Sequence, residues 1–259
     1  MSHRARKRFG QNFLHDPIVI QKIVNAIAPR PDDHLVEIGP GQAALTIPLL
    51  QAAGSMDAVE IDRDLVPIVQ EQCAPHGDLT VHNLDALKFD FTRLKTDQRP
   101  LRLVGNLPYN ISTPILFHLL ESRAVIKDMH FMLQKEVVER MAAKPGNKTY
   151  GRLSVMLQAY CTVEHLFDIG PGAFKPAPKV DSSIVRLIPL AAPQIDIADQ
   201  EQFAKIVAAS FAQRRKTLRN NLKGLLSGEQ IAAAGIDPGV RAETLGVDDF
   251  RRLSTRAQA

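Results

Sequence analysis

The chain has 259 residues, 45% of them hydrophobic and 23% charged, with a net charge of +4. That length suits one large domain with a smaller appendage, and no apolar run approaches membrane-spanning length, so a helical membrane protein is excluded. Cys73 and Cys161 cannot build a disulfide framework, and neither they nor the eight scattered histidines show metal-ligand spacing, so no metal site and a reducing, cytoplasmic setting are expected.

The basic start, Arg4, Arg6, Lys7 and Arg8, is followed by no apolar stretch, and a secretory signal is not expected. From there helix-like and strand-like segments alternate. Helices are predicted over 17–28, 43–53, 64–73, 114–121, 136–143 and 152–162. Strands are predicted over 34–40, 56–62, 79–85, 101–107, 128–134, 164–169 and 183–189. Thr113 and Pro114 read as the N-cap and first turn of a helix. The alternation implies an α/β fold whose mostly parallel sheet carries helices on both faces, with ligands beyond the carboxyl ends of the strands.

Leu190-Ala-Ala-Pro193 reads as a linker, dividing the chain into domain 1–190 and a small all-α domain, 191–259. In the second, Val207, Phe211, Leu218 and Leu222 recur at helical spacing as one apolar stripe. Arg215, Arg219 and Lys223 fall four apart on another face. Residues 203–223 hold six cations (Lys205, Arg214, Arg215, Lys216, Arg219, Lys223) and no acid, and residues 1–8 hold four. Against the net +4, those ten leave the rest of the chain at −6. Two basic patches on an acidic body suit a polyanionic partner.

Three strand ends carry groups suited to an adenosine-containing ligand. The first closes on Glu37-Ile-Gly39-Pro-Gly41, where glycines allow a tight turn and close approach to a ligand. Glu60 closes the second, placed to accept from ribose hydroxyls, and Asp85 the third, placed to accept from an adenine amine. NAD and S-adenosylmethionine both fit this much. Asn106-Leu-Pro-Tyr109, after the fourth strand, separates them. An Asn oxygen and main-chain carbonyls can accept both hydrogens of a base's exocyclic amine and aim its lone pair outward, while Tyr109 offers a stacking surface. A hydride-transfer reading leaves this motif idle, so the methyl donor is preferred.

Together these residues resemble the class I methyltransferases, and more narrowly the rRNA adenine dimethyltransferases. The likeness rests on Phe9-Gly-Gln-Asn-Phe-Leu14, Glu37-Ile-Gly-Pro-Gly41, Val59-Glu-Ile-Asp62, Asn106-Leu-Pro-Tyr-Asn-Ile-Ser-Thr113, Phe174-Lys-Pro-Ala-Pro-Lys-Val-Asp-Ser182 and Phe211-Ala-Gln-Arg-Arg-Lys-Thr-Leu-Arg-Asn220. It implies a Rossmann-like sheet, S-adenosylmethionine as cofactor, and dimethylation of two adjacent adenosines near the 3′ end of 16S rRNA in the immature small ribosomal subunit, by a monomer. It further implies that Asn12, Leu14, Gly39, Gly41, Glu60, Asp85 and Asn106 bind the cofactor. Asn106 with the Leu107 and Pro108 carbonyls would hold the amine, and Tyr109 would stack on the base. Phe174 would flank that base from a rigid, exposed, Pro-rich loop. Arg214, Arg215, Lys216, Arg219 and Lys223 would track the RNA backbone. The alternatives are an Erm-type enzyme acting on 23S rRNA and a mainly non-catalytic ribosome-assembly factor.

Overall fold

A computed structural model describes residues 11–257. The basic residues 4–8 and Phe9-Gly10 of the first motif lie outside the described residues. The chain divides into two compact units, 1–138 with 164–189, and 139–163 with 190–259. The second unit thus takes in 139–163 as well as the residues beyond 190.

The first unit begins with β1 (Phe13–Leu14) and α1 (Pro17–Ile27), and continues through β2 (His34–Ile38), α2 (Thr46–Ala53), β3 (Ser55–Val59), α3 (Val66–Cys73), β4 (Asp78–His82), β5 (Leu101–Asn106), α4 (Ser112–Glu121) and β6 (Ile126–Gln134). Along the chain α5 (Lys135–Ala142) then runs into the second unit, which holds α6 (Arg152–Gln158), and the chain returns to the first unit within β7 (Cys161–Ile169), followed by β8 (Phe174–Lys175) and β9 (Ser182–Pro189). Seven strands form one sheet in the order β4-β3-β2-β5-β6-β9-β7, while β1 and β8 pair separately. The strands from β4 to β6 run parallel, and β9 pairs antiparallel with β6. All five residues of β2 are buried, as a strand covered on both faces requires. On one face Ile23, Val24 and Ile27 of α1 and Leu49 and Leu50 of α2 share a core with Leu35, Val104 and Met132.

Asp16 caps α1, accepting from Ile18 and Val19 N–H at 2.9 and 3.2 Å. The predicted cap at Thr113 is displaced. Helix α4 starts at Ser112 with Ile111 as N-cap, so Thr113 and Pro114 sit inside the first turn. Proline is tolerated there because first-turn N–H groups lack helical partners anyway. The helix predicted over 152–162 stops at Gln158, where Cys-Thr-Val begins a strand that runs from 161, three residues earlier than expected.

In the second unit, α7 (Ala192–Ile195), α8 (Gln200–Ser210), α9 (Leu218–Asn221), α10 (Gly228–Ala233) and α11 (Val247–Arg256) enclose Phe203, Ile206, Leu218, Ile231, Phe250 and Leu253. The helical spacing read from Val207 to Lys223 is interrupted. Helix α8 ends at Ser210, and 211–217 are turns. The Asn221 side chain donates to the Ser210 and Gln213 carbonyls at 2.7 and 3.1 Å. Leu218 and Arg219 N–H reach across to Val240 and Pro238 at 2.7 and 3.0 Å. These bonds satisfy groups that a continuous helix would have paired internally. The apolar stripe survives the break, with Val207, Leu218 and Leu222 fully buried and Phe211 half-buried against Tyr150 and Phe250.

His130 lies on β6, 3% exposed, and neither ring nitrogen has a hydrogen-bond partner. Burial, with Arg102 and Arg186 adding to it against Asp128, pushes its pKa down from 6.5 to about 4. The unfolded chain binds this proton below pH 6.5, the folded chain only below about 4. Its contribution is therefore intact above pH 6.5 and declines as the pH falls towards 4. In urea titrations, His130→Leu is expected to flatten that acid limb by up to about 3 kcal/mol. An unchanged slope would mean that other groups govern it.

Candidate active site

A pocket with about 730 Å³ of empty space, its open mouth included, lies at the carboxyl ends of β2, β3, β4 and β5. Gly39 and Gly41, with φ of +71° and +57°, carry the chain out of β2 through the left-handed region that glycine enters without penalty. A Cβ on Gly41 would stand 3.2 Å from the Phe13 ring, which packs over the turn. Gly105 is tighter still. A Cβ there would lie 2.4 Å from the Ile38 carbonyl, so only glycine lets β2 and β5 close up immediately before Asn106.

Asn12, Gly39, Gly41, Glu60, Asp85 and Asn106 line this pocket together with Leu107, Pro108 and Tyr109. Leu14 lies in an adjoining recess beside Glu37 and Gly41, paired with Phe174 across β1 and β8. Glu60 is 4% exposed and accepts the Gly41 and Asp62 N–H groups at 3.3 and 2.8 Å. Burial raises its pKa above the ordinary carboxylate value, and the backbone bonds offset this only in part. Its remaining acceptor capacity is open to a ribose hydroxyl. Asp85 accepts the Leu87 N–H at 3.0 Å with one oxygen, and this turn sets the direction of its carboxylate.

Asn106 is the last residue of β5, and its Nδ2 donates to the Asn12 carbonyl at 2.9 Å. That bond commits the Nδ2 end of the amide and leaves Oδ1 to serve as an acceptor. Leu107 N–H is tied to the Met132 carbonyl at 3.2 Å, and the Pro108 carbonyl takes the Ile111 N–H at 3.1 Å, keeping one lone pair for another donor. The Asn-Leu-Pro-Tyr turn is thus held at several main-chain points.

Phe174 departs from expectation. It is 3% exposed, in β8, and belongs to the apolar core with Leu14, Ile169, Ala173 and Ile184. The prolines follow it, but the antiparallel pairing of β8 with β1 turns its ring inward. The basic residues divide as well. Arg215 and Lys216 stand exposed on the turn after α8. Arg214 spends its guanidinium on Glu243 (3.1 Å) and on the Lys148 carbonyl.

Three contributors lacked a role in the sequence reading. Glu37 is 2% exposed, its Oε2 is buried without a partner, and burial pushes its pKa up to about 7. It borders the recess beside the glycine turn, so a donor on the ligand could satisfy it. Ile61 and Leu84, 47% and 55% exposed, line the mouth next to Glu60 and Asp85, where a flat apolar ring would cover them. Their signal was present, since each directly neighbours a strand-end acid.

A parallel sheet whose successive strand ends present a glycine turn, a ribose-type acid and an amine-holding Asn-Leu-Pro-Tyr turn defines a nucleotide-cofactor enzyme of the methyltransferase type. Residues 2–259 match the family model for ribosomal RNA adenine dimethylase, and the chain belongs to that family. It is 58% identical over 252 residues to the ribosomal RNA small subunit methyltransferase A of Pseudomonas syringae pv. syringae, covering 97% of this chain and 94% of the relative. Among solved structures it is similar to a dimethyladenosine transferase from Plasmodium falciparum, with TM-score 0.78, 27% identity, and 93% and 95% of the two chains covered. It is also similar to the 23S rRNA methyltransferase ErmE, with TM-score 0.75, 28% identity, and 96% and 100% covered.

Proposed function

We propose that the protein transfers methyl groups from S-adenosylmethionine to N6 of two adjacent adenosines near the 3′ end of 16S rRNA, in the immature small ribosomal subunit. The observation that carries this is the anchoring of Asn106, a pocket-lining residue whose Nδ2 is committed to the Asn12 carbonyl, which keeps its Oδ1 as an acceptor beside ribose- and adenine-suited acids. Identity of 58% to a small-subunit enzyme, against 28% to ErmE, favours the small-subunit substrate over the large.

Bound in this pocket, S-adenosylmethionine supplies a methyl group on a positively charged sulfur. The chain's own residues do the rest by orientation. Glu60 would accept from the ribose hydroxyls, Asp85 from the adenine amine, and the lone Glu37 Oε2 from the ammonium at the amino-acid end. Ile61 and Leu84 would cover the adenine faces. Asn106 Oδ1 and the Pro108 carbonyl would accept the two hydrogens of the target amine and direct its lone pair at the methyl carbon. Tyr109 would stack on the target adenine, which must leave its neighbours to enter. No general base is required where the amine loses its proton late. Arg215, Lys216, Arg219 and Lys223 remain for the RNA backbone. The protein would act as a monomer in the cytoplasm, a setting that buried cysteines outside any disulfide, Cys73 and Cys161, suit.

The test is methyl incorporation into unmethylated small subunits, with the nucleoside identified after digestion. N6,N6-dimethyladenosine in the small-subunit RNA is the expected product. Label confined to large-subunit RNA would transfer the reading to Erm-type chemistry, and subunit binding without label would leave an assembly factor.

A further inference from the structure

We propose that Ser182 is a positioning residue for the methyl-transfer site, holding the Tyr109 ring through its phenol so that its face meets the incoming base. This rests on the function proposed above and extends it to a residue outside the pocket lining. Ser182 opens β9, is fully buried, and stands opposite Gln134 of β6. Its Oγ lies 2.7 Å from the Tyr109 Oη, between residues 73 apart in sequence. A buried hydroxyl is costly without a partner, and the partner the structure gives this one is Tyr109.

The serine is itself firmly placed. The Asp181 carbonyl before it accepts the Lys135 N–H at 3.0 Å, which ties the start of β9 to the end of β6. Ser183 after it donates to Asp168 at 2.6 Å, and Asp168 also receives Lys135 Nζ at 2.6 Å and His165 Nε2 at 2.7 Å. At the other end of the tyrosine, the Ser112 hydroxyl donates to the Tyr109 carbonyl at 3.2 Å. The phenol end of the side chain is therefore held by Ser182, and the Ser112 bond holds the main chain from which the ring extends. A ring held at its phenol offers its stacking surface at the same place to each of two successive adenosines, while packing sets its rotation about its own axis. Without the Ser182 bond the phenol would be free to swing with χ1 and χ2, and the base would have to order it on arrival.

The experiment compares Ser182→Ala, Ser182→Thr, Tyr109→Phe and the Ser182→Ala/Tyr109→Phe pair by steady-state methylation of unmethylated small subunits. Methylation by the unaltered protein is the control, and its failure would overturn the proposed function rather than this inference. With that control in place, Ser182→Ala and Tyr109→Phe are each expected to lower kcat about fivefold to twentyfold with little change in KM for subunits. The pair should be no slower than either single variant, because both remove one bond. Ser182→Thr, which keeps the hydroxyl, should keep most of kcat. Should Ser182→Ala fold poorly, Tyr109→Phe tests the same bond from its other end. A wild-type kcat in Ser182→Ala or Tyr109→Phe, or losses that multiply in the pair, would overturn the assignment, as would a change confined to melting temperature.

Discussion

Asn106→Ala is expected to lower the rate of methyl transfer by about a hundredfold to a thousandfold, the usual cost of removing a hydrogen-bonding group aimed at the reacting centre. Two losses coincide in this variant. The acceptor that orients the amine disappears, and the Asn12 carbonyl loses its side-chain donor. Asn106→Asp separates them. A carboxylate keeps the acceptor but cannot donate to the Asn12 carbonyl, and it places a negative charge beside that oxygen. It should therefore recover little of the activity. Binding of either variant to small subunits should stay close to wild type in a filter or sedimentation assay, since the exposed cations lie elsewhere in the chain. Near-normal turnover in Asn106→Ala would remove Asn106 from the chemistry and with it the carrying observation of the proposed function.

What could be read from the sequence followed the range over which each signal acts. Strand periodicity and strand-end acids are local, so all seven strands of the large sheet and the residues Gly39, Gly41, Glu60, Asp85 and Asn106 were legible before any coordinates. Pairings that depend on distant segments were not. Phe174 sits two residues before Pro176 and reads as loop, yet its environment is decided by β1, some 160 residues earlier in the chain. The basic run 203–223 has helical spacing throughout, but Asn221 and the carbonyls of Pro238 and Val240 draw its hydrogen bonds away. Glu37 was visible as part of the glycine motif, and only its burial shows that one oxygen lacks a partner. Ser182 closed a recognisable motif without any local hint that its hydroxyl meets Tyr109.

Arg102 makes the same point about range and carries the largest expected effect on stability. In sequence it interrupts the apolar run Leu101-Arg-Leu-Val of β5 with no evident purpose. In the fold its side chain is 8% exposed, and every part of the guanidinium is used. Nε donates to Asp128 at 3.0 Å, Nη1 to Asp33 at 2.6 Å, and Nη2 to the Ile27 carbonyl at 2.7 Å, where α1 ends and Ala28 turns left-handed at φ +48°. One cation thus neutralises two carboxylates and satisfies a carbonyl that the helix end would leave orphaned. Arg102→Ala takes the guanidinium from Asp128 and leaves Asp33 with only Lys127 Nζ at 3.4 Å and the Arg30 N–H at 2.9 Å, and a loss of about 3–5 kcal/mol is expected in urea unfolding. Burial alone would raise the Asp33 pKa, but the Arg102 bonds overcome it and hold it below the ordinary carboxylate range. A depressed acid stabilises the fold above its unfolded pKa and loses that effect as the pH falls through its folded value. Without Arg102 that depression shrinks, because only the Arg30 N–H and Lys127 are left to oppose burial. The gap between wild type and Arg102→Ala should accordingly narrow as the pH falls below about 4. Asp33→Asn added to Arg102→Ala should recover part of the loss at neutral pH, since it removes one of the carboxylates that lose the arginine. The methylation rate of the fraction still folded is expected to stay near wild type, since Arg102 lies about 13 Å along the strand from Asn106. A loss below about 1 kcal/mol, the range of exposed pairs, would show that water reaches Asp33 and Asp128 once the arginine is gone.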